Sequence, residues 1–241
     1  MPTAAGIIIG DEILSGKVQD TNAYHLIRML HDVGVELVRI ATIGDDPDCI
    51  AEEINFCRGR CDHVITSGGV GPTHDDRTME GIARAFGRRI VRHPHLERMV
   101  RKHWAERVNE AALKLAEVPE GATLLESDDG MLPVVTLENV FILPGVPQIF
   151  EAKLLRLRQV LSGQVAVLHS IYLSADESSI AAVLTQVDHE LPEVKIGSYP
   201  RIGDPDYRVR VTVESAVPGA ADRGLERLLE LLPSDRVIRY E

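Results

Sequence analysis

From Ala4 to Phe86 the chain alternates short apolar runs with amphipathic segments, and that rhythm leaves few folds open. Ala4–Ile9 reads as a buried strand. Thr21–His31 reads as a helix with Asp20 before it and Leu26, Ile27 and Leu30 on one face. Glu36–Ile43 is a second strand introduced by Gly34, and Pro47–Cys57 a second helix with proline at its start. His63–Thr66 is a third strand and Thr78–Phe86 a third helix. Strand–helix alternation implies right-handed crossovers and a parallel sheet covered on both faces. Ligands of such sheets sit beyond the carboxyl ends of the strands, at a topological switch point. The loops Gly10–Gly16, Gly44–Asp48 and Ser67–Asp76 are therefore expected to open on one edge.

His95–Val118 is expected as one long or broken helix carrying Leu96, Met99, Val100, Trp104 and Val108. Val134–Leu137 and Phe141–Leu143 are further strands, and a helix follows Leu143-Pro144-Gly145-Val146-Pro147 from about Gln148 to Leu161. Beyond Val165 the order becomes strand (Val165–Leu173), helix (Asp176–Leu191), two strands joined across Pro200–Asp206 (Val194–Tyr199 and Tyr207–Glu214), helix (Ala220–Leu232) and strand (Arg236–Tyr240). That is the order of a split βαβ, ferredoxin-like unit. A boundary near Leu161–Gln164 then separates a first domain over 1–163 from a second over 164–241. The expected fold class is α/β: a three-layer, mostly parallel sheet followed by a small ferredoxin-like α+β domain.

Among these loops Ser67-Gly68-Gly69-Val70-Gly71-Pro72-Thr73-His74-Asp75-Asp76-Arg77-Thr78 carries the most chemistry. Glycine lacks Cβ, so such a loop bends sharply and exposes backbone N–H groups to a ligand. A helix start just beyond it favours phosphate. Asp45, Asp75 and Asp76, with Asp11 and Glu12 of the first loop, would face one crevice. Clustered carboxylates repel one another unless a cation joins them, and a hard divalent ion such as magnesium is the natural choice. Plainer roles fit some of these residues: Asp20 and Asn22 are ordinary helix-cap residues, Asp before Pro47 is a common helix start, and His74 suits an exposed polar position as well as a ligand. His93, His95 and His103 show no ligand spacing.

With a formal charge of −11 over 241 residues, nucleic acid is not expected as a partner, because phosphate backbones call for a basic face. No apolar run approaches the ~20 residues of a membrane span, and no signal peptide is read at the amino terminus. Cys49, Cys57 and Cys61 have neither a zinc-site spacing nor a disulfide framework. A cytoplasmic protein is expected.

The motifs Gly10-Asp11-Glu12-Ile13-Leu14-Ser15-Gly16 with Asp20-Thr21-Asn22, the stretch 67–78, and Leu143–Pro147 together resemble the molybdopterin-binding (MoCF biosynthesis) superfamily. Within it the chain is most similar to the amino-terminal region of competence/damage-inducible protein A. The resemblance extends over the whole chain. The adenylyltransferase branch typically has Gly-Gly-Thr-Gly and an Arg-Asp pair, whereas here Val70 replaces the threonine and Asp75 the arginine. The amidase domain of full-length relatives is not seen in the chain, and its activity is not carried over.

What the resemblance implies is a metal-dependent nucleotide pyrophosphatase acting on an ADP-ribose-like or dinucleotide substrate. The catalytic set would be Asp45, Asp75 and Asp76, with Asp45 and Asp76 holding magnesium, cobalt or manganese. Ligand contacts would come from Gly10, Asp11, Glu12, Asn22, Ser67, Gly68, Gly69, Gly71, Thr73, Thr78, Pro144 and Gly145. The ligand would be a small-molecule nucleotide or pterin, either molybdopterin or an adenine dinucleotide. The alternative is a non-catalytic molybdopterin- or nucleotide-binding module, or a molybdenum cofactor biosynthesis protein. The family also implies a homo-oligomer, a dimer or trimer.

Overall fold

A computed structural model of the chain describes residues 1–126, 132–203 and 205–241. Its contacts divide into two units, Met1–Gly163 and Gln164–Glu241.

The first unit runs β1 (Thr3–Ile9), α1 (Asp11–Leu14), α2 (Asn22–Asp32), β2 (Glu36–Ile43), α3 (Pro47–Arg58), β3 (His63–Ser67) and α4 (Thr78–Ala85). It continues β4 (Ile90–Arg92), α5 (Pro94–Trp104), a 3-10 turn Ala105–Arg107, α6 (Glu110–Lys114), β5 (Glu117–Pro119), β6 (Thr123–Leu125), β7 (Val134–Leu137), β8 (Val140–Leu143) and α7 (Pro147–Leu157). Among the described residues the main sheet has six strands in the order β2-β1-β3-β8-β7-β6. The strands β2, β1, β3 and β8 are parallel, and β7 and β6 are antiparallel to their neighbours.

Both faces of the inner strands β1, β3 and β8 are buried, which is why these strands read as continuous apolar runs, whereas the edge strand β2 is partly exposed. Adjacent residues serve opposite cores. Ala4, Ile65, Val134 and Leu143 pack with Leu26 and Leu30 of α2 and with Phe150, Leu154 and Leu157 of α7. Ala5, Val64, Val135 and Ile142 pack with Ile50 and Ile54 of α3, Ile82 of α4 and Leu96 and Val100 of α5. From β1 the chain goes outward to β2 and then crosses back to β3 on the other side of β1. The switch point therefore lies at the carboxyl ends of β1 and β3.

Of the long or broken helix expected over His95–Val118, the broken form is present, and only the end beyond Lys114 needs correction. The helix ends at Trp104, where Ala105 adopts φ 47°. Asn109 starts α6 by accepting the Ala112 N–H at 2.8 Å, and Val118 lies in β5, paired with β4. The first loop, Gly10–Gly16, contains the single helical turn α1.

The second unit runs β9 (Val167–Leu173), α8 (Glu177–Glu190), β10 (Lys195–Pro200), β11 (Val209–Ser215), α9 (Ala220–Leu231), a 3-10 turn Ser234–Arg236 and β12 (Val237–Tyr240). Its strands form one antiparallel sheet, β10-β11-β9-β12. With the first and third strands central, this is the ferredoxin-like arrangement. Ile180 and Val187 of α8 and Leu228 of α9 close its core over Ile171, Val211 and Val213. Asp204 of the expected hairpin tip lies outside the described residues.

Candidate functional site

Four parallel strands end on one edge, so the segments after β1, β2, β3 and β8 meet there. At β1 and β2 the meeting is a direct bond: the Gly10 N–H donates to the Ile43 carbonyl at 3.0 Å. The Asp11 N–H then donates to Asp45 Oδ2 at 2.9 Å. A Cβ on Gly44 would lie 2.4 Å from Asp11 Oδ1, so glycine there makes room for the first-loop carboxylate. The neighbouring acids separate by role. Asp46 caps α3, accepting the N–H groups of Asp48 and Cys49 at 2.9 and 3.1 Å, with Pro47 at the helix start.

At the third loop the glycines are dictated by space. Gly68 has φ +108°, and a Cβ there would stand 2.1 Å from the Ile9 carbonyl oxygen. Gly69 has φ +63°. Its missing Cβ would sit 2.4 Å from Thr78 Oγ1 and 3.5 Å from Asp45 Oδ1. The loop thus folds back over the ends of β1 and β2 and brings its backbone beside Asp45. Buried Thr78 fixes it, its hydroxyl donating to the Gly68 carbonyl at 2.8 Å and its N–H to the Gly69 carbonyl at 2.9 Å.

Beyond Gly71 the chain makes its own turn. The N–H and hydroxyl of Thr73 both donate to Asp76 Oδ2, the former at 2.8 Å. Lys114 Nζ donates to the carbonyls of Thr73 and Asp76, the latter at 3.0 Å. At the fourth strand, a Cβ on Gly145 would stand 3.1 Å from Gly68 Cα. Asn22, only 5 % exposed, ties these ends together through Nδ2, which donates to Ser67 Oγ at 2.9 Å and to the Gly145 carbonyl at 2.8 Å. Among the described residues, Asn22 Oδ1 and Thr66 Oγ1 are buried without a hydrogen-bond partner.

Charge is unevenly held. Partial burial pushes the Asp45 carboxyl above its ordinary range; the carboxylates of Asp11, Glu12 and Asp75 add to this, and the Asp11 N–H opposes it. Asp75 is held below the usual carboxylate range by the Thr73 side chain, with His74 and Lys114 contributing less. His74 itself projects into solvent, 3.8 Å from Asp75. Among the described residues no three His, Cys, Asp or Glu side chains are grouped to hold a metal ion. The cysteines are free, and burial followed by the Glu53 carboxylate pushes the Cys57 thiol up to about 12. That is the environment of an inert thiol. No helix of the described residues is long and apolar enough to cross a membrane.

The edge also opens into a cavity of about 660 Å³ that sequence reasoning missed. It runs from the exposed Glu12 and the loop Gly68–Gly71 with Asp76 to the buried Leu96, Val135 and Ile142. Lys153 lines it and is 3 % exposed. One signal for Lys153 was present. It lies on the same stripe of α7 as the buried Phe150, Leu154 and Leu157, and a lysine at such a position is rarely incidental.

The comparisons with known proteins agree with this geometry. Residues 5–162 match the family described as a probable molybdopterin binding domain, and residues 166–241 match the FAD synthase middle domain. A probable FAD synthase of Caenorhabditis elegans is 34 % identical, covering 99 % of this chain and 51 % of that protein. A CinA-like protein of Frankia casuarinae is 34 % identical over 87 % of this chain and 53 % of its own length. The chain spans about half the length of these two relatives. A crystal structure described as the protein CinA with unknown function, from Thermoplasma acidophilum, superposes with a TM-score of 0.61 at 31 % identity, covering 67 % of this chain and 99 % of that one. The chain belongs to the molybdopterin-binding domain family, close to the CinA-like proteins, and its residues 166–241 are similar to the FAD synthase middle domain.

Proposed function

We propose that the chain is a divalent-metal-dependent pyrophosphatase that cleaves an adenine dinucleotide, either a flavin dinucleotide or an ADP-ribose-like one. The observation that carries the reading is the closeness of Asp45 to the glycine loop: the space kept free by Gly69 lies 3.5 Å from Asp45 Oδ1. Phosphate-binding amides and a hard carboxylate donor thus share one spot.

Gly68 gives its N–H to the Leu143 carbonyl at 3.1 Å. The cradle for a phosphate is therefore narrowed to the amides of Gly69, Val70 and Gly71, which enter no strand or helix. The donor set suits a hard cation. Magnesium commonly takes only one or two protein carboxylates, its other positions going to water and substrate phosphate, so a preformed three-ligand group is not required. Asp45 and Asp76 would hold magnesium, manganese or cobalt. Such an ion supplies Lewis acidity at phosphorus and a water of lowered pKa. The name of the nematode relatives, probable FAD synthase, favours a flavin over ADP-ribose as the dinucleotide.

The test is incubation of the folded protein with FAD or ADP-ribose and each of the three metals. Release of AMP, with FMN or ribose phosphate, is expected; no turnover across the screen rejects the reading. A second reading, a binding module for a pterin or nucleotide without turnover, is favoured by Val70 and Asp75, which depart from the adenylyltransferase pattern. Calorimetry showing tight binding of an uncleaved ligand would select it. Self-association as a dimer or trimer belongs to both readings, and sedimentation showing monomer alone would remove it.

A further inference from the structure

The turn that carries Asp76 has few anchors. Thr73, His74 and Asp75 are exposed and lie in no strand or helix. Within the turn, Thr73 gives its N–H and its hydroxyl to Asp76 Oδ2. Among the described residues, the hydrogen bonds that join residues 72–76 to the rest of the chain are the two from Lys114 Nζ, to the Thr73 and Asp76 carbonyls. We propose that Lys114 is a positioning residue for the Asp76 carboxylate: it clamps both ends of the turn and so sets where that carboxylate stands against the phosphate cradle. The inference rests on the metal-dependent reading for the role of Asp76, and it adds the residue that holds the carboxylate in place.

The clamp has a firm base. Lys114 ends α6, which Asn109 caps and which buries Ala112 and Leu113 in the core shared with α3, α4 and α5. An ammonium offers three donors and no acceptor, so one head can hold two carbonyls. Bonds from a charged donor are roughly twice as strong as neutral ones. The carboxylate also stands close to the cradle. A Cβ on Gly71 would lie 2.6 Å from Asp76 Oδ2. Gly71, Asp76 and Leu115, the residue after Lys114, line the same cavity. Thr73 takes Oδ2, and Oδ1 makes no hydrogen bond among the described residues, which leaves it to a cation. A misplacement of about 1 Å at a reacting centre costs on the order of 100-fold in rate, so an exposed turn that carries a working carboxylate needs such an outside tie.

Charge alone calls for the opposite result. An ammonium near a cation site repels the cation, so removing it should tighten metal binding. Loss of a positioning residue should weaken it. The experiment compares the full chain with Lys114→Met, which keeps an apolar stem and drops the donors. Calorimetry with manganese alone should show affinity weakened by about 10-fold or more, the loss of a charged hydrogen bond. Exchange of the Thr73 amide, read by NMR without metal, should speed up, because its acceptor Asp76 is no longer held. Manganese affinity unchanged or raised in the folded variant overturns the proposal. So does Thr73 exchange equal to the parent's, or a parent that binds no manganese. If Lys114→Met does not fold, Lys114→Gln carries the same comparison. Neither readout needs turnover, so both stand apart from AMP release by the parent, which tests the hydrolase reading. Where AMP is released, kcat should fall with KM little changed; a rise in KM alone would assign Lys114 to the substrate phosphate and overturn the positioning role.

Discussion

Thr78 closes the glycine loop from the helix side: its hydroxyl reaches the Gly68 carbonyl at 2.8 Å, and its N–H reaches the Gly69 carbonyl at 2.9 Å. The first turn of α4 and the phosphate cradle are therefore one mechanical piece. Thr78→Val keeps the shape but leaves the Gly68 carbonyl without its side-chain donor. A loss of about 1–3 kcal/mol in urea unfolding is expected. Thr78→Ser should recover most of it.

Gly68→Ala places a methyl 2.1 Å from the Ile9 carbonyl at φ +108°. Backbone strain and overlap together should cost roughly 2–6 kcal/mol. Gly16 has φ +71° but open space around it. Gly16→Ala should therefore cost only about 1–2 kcal/mol. Thermal unfolding of the pair separates collision from conformational preference, and equal losses would contradict the close approach.

Asn22 joins the end of β3 to the fourth loop through Ser67 and Gly145. Asn22→Ala removes both bonds in a buried place, so about 1–3 kcal/mol of stability should go. Ligand binding should weaken as well, because Gly145 and Ser67 lose their shared anchor. Calorimetry with ADP-ribose reads the second effect.

Asp45→Asn and Asp76→Asn each keep an acceptor oxygen for the Asp11 or Thr73 N–H and remove a charge. Both should fold and lose AMP release. For Asp45 the sign of the stability change follows from its raised pKa. A carboxyl that holds its proton more tightly in the folded chain stabilises the fold fully below the unfolded pKa, near 3.8. That contribution is lost as pH rises through the folded value. Without added metal, Asp45→Asn should therefore be as stable as the parent or more stable at pH 7, and the advantage should vanish toward pH 3.

In the second unit Arg227 of α9 donates to Glu190 of α8 at 2.7 and 3.2 Å. With Gln186 assisting, this lowers the Glu190 pKa from 4.5 to about 2. The pair contributes above the unfolded value, and the contribution is lost as pH falls through the folded one. Residues 164–241 enclose their own apolar core, so as an isolated fragment they should unfold cooperatively. Their stability should fall between about pH 4.5 and pH 2. Arg227→Gln should flatten that part of the curve; an unchanged slope in circular dichroism melts would show the pair to be inert.

Local signals sufficed wherever one element carried its own instruction. Glu36–Ile43 is the strand that the apolar run after Gly34 implied, and α3 begins at Pro47. The βαββαβ order of the last part gives the sheet β10-β11-β9-β12 because adjacent strands and crossovers have few alternatives. The glycine-rich stretch after Thr66 was legible as a loop, since three glycines in four positions have no place in a regular element.

Tertiary structure alone decided the rest. The strands β4 and β5 are three residues each, too short to show a period, and exist because they pair with each other. Asp45, Asp46 and Asp48 are alike in sequence. Their roles differ because Gly44 and the Asp11 N–H turn the first toward the sheet edge, while the Asp48 and Cys49 N–H groups hold the second as a cap. The cavity at the sheet edge is built from helices, strands and loops distant in the chain. No local period encodes which side chains will face one another across packed elements, because that is settled by the packing of the whole core.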